Sequence, residues 1–220
     1  MKNGSKAAVG ALVALLATAA QAQAQVPSFS GGAPRSQAVG AGYGAHQHDG
    51  FYLRLDLGAG YMAQSLSDVD MKISGGAGSF GVALGGAVAE NLIVAGHLFT
   101  NGIVNPSISS GGTSVSATDS SSSMVGLGPQ LTYYFMPNNV YVSGTLAATR
   151  LSLTNNGVTG NSEWGIGTRL ALGKEWWVSD NWGLGLAGLF SWSSNKNDGS
   201  AGAPTISTWG LGVAFSATYN

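Results

Sequence analysis

From Phe51 onward the chain alternates large apolar residues with small or polar ones at a period of two. In FYLRLDLGAGYMA, Phe51, Leu53, Leu55, Leu57, Ala59 and Tyr61 share one parity; Tyr52, Arg54, Asp56, Gly58 and Gly60 share the other. Successive side chains of a strand point to opposite faces, so this spacing predicts a two-faced strand. The rhythm returns in Phe80, Val82, Leu84 and Val88, in Val125, Leu127, Leu131, Tyr133 and Phe135, and in Trp164, Ile166, Leu170 and Leu172. It returns again in Trp182, Leu184, Leu186 and Phe190, and in Trp209, Leu211, Val213, Phe215 and Tyr219. Residues 92–100 and 140–149 alternate less regularly, with Gly96 and Gly144 on the apolar parity. Counting these two, eight strands are expected, and neither a heptad nor a 3.6-residue stripe persists.

The links between the strands alternate in length. Glu90-Asn91, Pro137-Asn138-Asn139 and Ser179-Asp180-Asn181 are short, whereas residues 65–78, 102–122, 154–163 and 194–205 read as long connections. An up-and-down meander with short turns at one rim and long loops at the other follows.

Composition then decides which solvent the apolar face meets. Only 9% of the 220 residues are charged while 44% are hydrophobic, against roughly 25% charged in an ordinary soluble domain. A soluble barrel would bury Leu, Trp and Phe and cover its exterior with Lys, Glu and Asp. Here the opposing face is Gly, Ala, Ser and Thr, which suits the crowded axis of a narrow barrel. The bulky face is therefore expected to meet hydrocarbon, where a closed sheet pairs every backbone group. The fold class is all-β: a transmembrane antiparallel up-and-down β-barrel of eight strands, spanning residues 51–220.

Ahead of it, Lys2 and Lys6 precede the apolar run AAVGALVALLATAA, too short to cross a bilayer, and Ala20-Gln21-Ala22 or Ala22-Gln23-Ala24 supplies a cleavage site. Residues 1–24 thus read as a cleaved signal peptide, and the Gly-, Pro- and Ser-rich residues 25–50 as a flexible leader. The net charge of −1 gives no basic field for nucleic acid, and the absence of cysteine excludes disulfides and thiolate metal sites.

Tryptophan marks the ends of the apolar band. Trp176, Trp177 and Trp182 flank the Ser179-Asp180-Asn181 turn in GKEWWVSDNWGLG, and Trp164, Trp192 and Trp209 sit near the opposite strand ends. An indole suits the boundary between hydrocarbon and headgroup, so the six are expected to form two interfacial girdles. By parity Trp176 and Trp182 face outward with Lys174, while Trp177 has the parity to close the barrel floor instead.

These features, GKEWWVSDNWGLG, the hairpin rhythm and the last strand WGLGVAFSATY, make residues 51–220 resemble the small eight-stranded outer-membrane β-barrel domains of the OmpA/OmpX type. The resemblance implies an integral place in a Gram-negative outer membrane, contact with its lipid and lipopolysaccharide, and a periplasmic location for both termini. It also implies that the barrel-assembly machinery reads the final strand through Trp209, Leu211, Val213, Phe215 and Tyr219. Family strands usually end on the aromatic residue; here Asn220 follows Tyr219.

Candidate chemistry is sparse. Inward parity gathers Arg54, Asp56, Arg169 and Glu175, a lumen polar cluster in which opposite charges are expected to pair. It reads as a structural network or as the lining of a gate. His46-Gln47-His48 with Asp49 has the H-x-H spacing of a metal site but falls in the leader, and His97 falls inward on the third strand. Two GxGxxG matches, at 76–81 and 183–188, lack the helix that a dinucleotide site needs. The Ser-rich residues 107–123 carry no G-x-S-x-G elbow. The expectation is a non-enzymatic surface or structural role through polar loops, without cofactor or metal. A narrow channel for small or apolar solutes is the alternative, and a lipid-modifying enzyme the third reading.

Overall fold

The computed structural model describes residues 48, 50–67, 70–197 and 204–220. The signal segment and, apart from His48 and Gly50, the leader lie outside the described residues. The strands are β1 (Phe51–Leu66), β2 (Met71–Ala89), β3 (Leu92–Val104), β4 (Ser107–Ser110), β5 (Thr113–Ser116) and β6 (Ser120–Phe135). They continue as β7 (Val140–Asn155), β8 (Val158–Asn161), β9 (Gly165–Trp177), β10 (Trp182–Lys196) and β11 (Thr205–Tyr219). Eight of them, β1, β2, β3, β6, β7, β9, β10 and β11, pair antiparallel in circular order. The ring closes because β1 pairs with β2 on one side and β11 on the other. Closure removes the open edges that a bilayer would not tolerate.

Register sorts the faces as the alternation predicts. Leu57 faces Phe80 and Phe215 across its two ladders, and all three point out; Arg54 faces Ala83 and Thr218, and all three are buried. Leu57, Leu172, Val213 and Leu211 are 56–69% exposed. A continuous coat of Leu, Val, Phe and Trp with this exposure is stable in hydrocarbon and not in water. The molecule is a membrane-spanning barrel.

The irregular strands fit once both faces are seen. On β3, Val94, Gly96 and Leu98 face out while Ile93, Ala95, His97 and Phe99 face in, so apolar side chains occupy both parities. At β6, Pro129 has no amide to donate, and the β6–β7 ladder skips from Leu127↔Ala148 to Gln130↔Thr145.

One rim carries the short turns, together with Gly50 and Asn220; it is called the floor below. Asn91 (φ 60°) and Asn139 (φ 51°) turn the chain there in left-handed conformations that Asn tolerates. The other rim differs from expectation. Residues 65–78 are not one long loop, because β1 runs to Leu66 and β2 starts at Met71. Residues 102–122 hold the end of β3, the β4–β5 hairpin and the start of β6; residues 154–163 hold β8, paired back onto β7. Strand β10 likewise runs to Lys196. Ladder hydrogen bonds do not need apolar side chains, so the strands continue in Ser, Thr and Asn after the greasy member of the alternation is lost. At 13–19 residues the barrel strands exceed the roughly 9–11 needed to cross a bilayer.

Candidate functional site

The interior is layered, and its lowest layer seals the floor. Glu175, 2% exposed, accepts hydrogen bonds from Thr218 Oγ1 at 2.7 Å and the Tyr134 hydroxyl at 3.3 Å. The Tyr134 hydroxyl also lies 3.3 Å from that of Tyr52. His48 enters from below, stacks on the Tyr134 ring at 3.5 Å and places Nε2 2.9 Å from Asn139 Oδ1. Trp177 lies 5.2 Å from the His48 ring. Of the H-x-H motif, therefore, only His48 is described, and it packs against the floor; no group of three metal-ligating side chains occurs among the described residues.

Above the floor sits the charged middle. Arg54 and Asp56 are two apart on β1 and hence on one face, with Nε 3.3 Å from Oδ1 and Nη2 3.5 Å from Oδ2. The guanidinium lies 4.7 Å over the Tyr141 ring. His97 Nδ1 is 2.8 Å from Thr145 Oγ1 and 3.0 Å from Gln130 Nε2. Arg169 donates to Asn101 Oδ1 at 3.5 Å and lies 5.2 Å over Phe99, while Asn101 in turn donates to Ser191 Oγ.

All four lumen charges are buried, and two of them are in direct contact. Among the described residues Arg54–Asp56 is the ion pair, whereas Arg169 and Glu175 are held by neutral groups. These two are six residues apart on β9, about 20 Å along a strand, which sets them in different layers.

A third layer lies above these, and the alternation alone does not announce it. Met62, Phe99, Ile103 and Met124 point inward at 0–1% exposure, on the half of the barrel toward the longer connections. Tyr52, Tyr134 and Tyr141 likewise fill the floor half at 0%. The interior is therefore not only Gly, Ala, Ser and Thr. Glycine makes the room: a Cβ at Gly126 would strike the Phe99 ring, and one at Gly173 would lie 2.7 Å from Tyr141.

At the floor rim Trp176 and Trp182 face outward. Lys174 Nζ donates to Asn138 O at 2.8 Å and lies 5.8 Å over the Trp176 ring. Tyr219 meets Trp182 edge-on at 5.4 Å and Phe51 at 6.1 Å. Toward the other rim Trp192 faces Trp209 in register, and Tyr61 lies 5.8 Å from Trp209; Trp164, 61% exposed, directly precedes β9. Trp177 departs from the girdle: it has the parity of Glu175 and packs beside His48. Strand β11 presents Trp209, Leu211, Val213 and Phe215 outward and ends at Tyr219.

No protein-family model matches the sequence, and no curated protein matches it. Among solved structures, the chain is similar to Neisserial surface protein A, at 18% identity over 74% of this chain and 95% of that one, TM-score 0.49. It is also similar to Ail, the attachment invasion locus protein of Yersinia pestis, at 11% identity over 76% and 99%, TM-score 0.40. A third is the outer membrane protease OmpT from Escherichia coli, at 9% identity over 78% and 97%, TM-score 0.43. Shape alone assigns no activity.

Proposed function

We propose that this chain is an integral outer-membrane barrel of a Gram-negative-type envelope, with its short turns and both termini in the periplasm. Its role is non-enzymatic and is exercised by the segments at the opposite rim, facing the environment, other cells or lipopolysaccharide. The observation that carries this reading is the packing of the interior: Tyr52, Tyr134 and Tyr141 at the floor and Met62, Phe99, Ile103 and Met124 above it are buried to 0–1% exposure. What remains available to partners is the polar rim, where β5 and β8 are exposed along their whole length. Serines on the β4–β5 hairpin bond one another, with Ser114 Oγ 2.9 Å from Ser107 Oγ and 3.0 Å from Ser109 Oγ. The test is replacement of residues 107–117 by a two-residue turn. The barrel should still fold, because the ring closes through the eight long strands and only the Met71–Ser74 end of β2 loses its β4 partners, while binding of cells to lipopolysaccharide-free and lipopolysaccharide-bearing surfaces changes. A variant that folds and binds as the parent does removes this hairpin from the role.

A second reading, the narrow channel, is favoured by polar atoms in the middle layer. Arg54 Nη1, His97 Nε2, Gln130 Oε1 and Arg169 Nη2 are buried without a hydrogen-bond partner in the protein. Planar-bilayer recordings separate the two readings: a silent barrel supports the surface role, and steady conductance altered by Arg169→Ala supports the channel.

A further inference from the structure

The inward faces of β1, β2, β7 and β11 change character just below the longer connections. Lower down they carry Tyr52, Arg54, Gly81, Thr145 and Thr218; near the rim they carry Leu66, Met71, Ile73, Leu151, Leu153 and Ile206. These six aliphatic side chains line one cavity of about 300 Å³, the lower end of the size range of small-molecule sites. Inward aliphatic residues at a rim are not needed to hold a barrel in a membrane, since that task falls to the outer coat. Beneath the collar Met62, Ile103 and Met124 are packed to 0–1% exposure, which gives the cup an apolar base.

Its described polar lining is neutral. Gln64, Ser122, Asn155, Asn161 and Ser162 contribute amides and hydroxyls, and among the described residues no Asp, Glu, Lys or Arg lines the cup. One of these groups is incompletely used. Gln64, 4% exposed, accepts a hydrogen bond from Ser122 Oγ at 2.8 Å through Oε1, yet its Nε2 has no acceptor in the protein. A buried donor without a partner is costly, and an oxygen atom of a ligand would satisfy it.

We propose that this cup binds a neutral, short-chain amphiphile carrying an oxygen acceptor, an alcohol or ester, with its oxygen at Gln64 Nε2 and its alkyl chain along the aliphatic collar. The charge of the occupant follows from the lining: a carboxylate or an ammonium would enter a site without a countercharge and lose its hydration there. None of residues 107–117 lines the cup, but Met71 and Ile73 pair with Ser110 and Ile108 of β4, so the titration keeps the β4–β5 hairpin intact.

The experiment uses the full barrel in phospholipid nanodiscs with methyl-labelled Met, Ile and Leu. It is titrated separately with n-decanol, decanoate, decyltrimethylammonium and n-decane, and read by NMR. Saturable shifts of the Met71 and Ile73 methyls with n-decanol are expected. Each charged analogue should bind at least about tenfold more weakly, as should n-decane, which forfeits one hydrogen bond. Gln64→Leu should erase the preference for n-decanol over n-decane. Leu153→Lys, at a position 41% exposed and so tolerant of change, should weaken n-decanol about tenfold without unfolding the barrel. Shifts that never saturate, or that match those of the outward Leu57 and Leu211 methyls, would mean bulk partition into lipid and overturn the proposal. Equal binding of decanoate would overturn it too.

Discussion

Tyr141 and Gly173 are direct cross-strand partners on β7 and β9, and the phenol ring fills the volume that a side chain at Gly173 would need, 2.7 Å from where its Cβ would lie. The same ring supports the Arg54 guanidinium at 4.7 Å. Glycine here is a packing requirement and not a matter of backbone freedom. Gly173→Val is expected to destabilise the barrel by about 1–3 kcal/mol through overpacking. Adding Tyr141→Ala should restore part of that loss, since the pair shares one volume. Urea unfolding of barrels refolded into lipid vesicles measures both; an unchanged midpoint for Gly173→Val would refute the contact.

The buried Arg54–Asp56 pair leads to a different pattern. Removing only the carboxylate in Asp56→Ala leaves a guanidinium 1% exposed without its countercharge, a change that costs about 3–5 kcal/mol in comparable sites. Arg54→Met combined with Asp56→Leu removes both desolvation penalties and should be far milder than either single variant. A double-mutant cycle on the same unfolding assay gives the coupling directly, and additive losses would mean that the two charges do not act together.

The barrel was legible because its signal is written twice, once in the period-two alternation and once in the depletion of charge. Leu57, Val213 and Leu211 announce the outer face by themselves. The interior was harder to read, for a physical reason: inward positions tolerate anything that fits. Met62, Phe99, Ile103 and Met124 broke the small-residue pattern, and whether each has room depends on its neighbour across the ladder, as Phe99 depends on Gly126. Spacing placed Arg169 and Glu175 on the inner face correctly, yet pairing is decided by height along the axis, which parity does not encode. Tyr52 shared its parity with Arg54 and was the available hint that the floor is aromatic. The ends of the strands near the long connections were missed because Ser and Thr continue a ladder without leaving a hydrophobic trace.

The floor makes a prediction about permeability. Tyr52 and Tyr134 are wholly buried, their hydroxyls 3.3 Å apart, and His48 stacks beneath Tyr134. Tyr52→Ala combined with Tyr134→Ala should remove most of this layer. If the upper apolar layer also blocks the axis, that variant stays silent in a planar bilayer, and conductance appears only when Met62→Gly and Met124→Gly are added. Conductance from the floor variant alone would show that the upper layer does not seal.

The sharpest test of the orientation of the two faces is a depth series of arginines on the outer coat. Leu211 lies near the middle of β11 and is 56% exposed; Val104 ends β3 at 75% exposed. In hydrocarbon, Leu211→Arg should cost about 2–4 kcal/mol and Val104→Arg about 0–1 kcal/mol, because the penalty falls as the charge approaches the headgroups. A water-facing exterior would instead make both changes close to neutral, since surface substitutions are usually within about 0.5 kcal/mol. Urea unfolding in vesicles gives the two values, and Leu170→Arg on β9, 47% exposed, should follow Leu211 and not Val104. Equal costs at all three positions would remove the membrane from the explanation of the outer face.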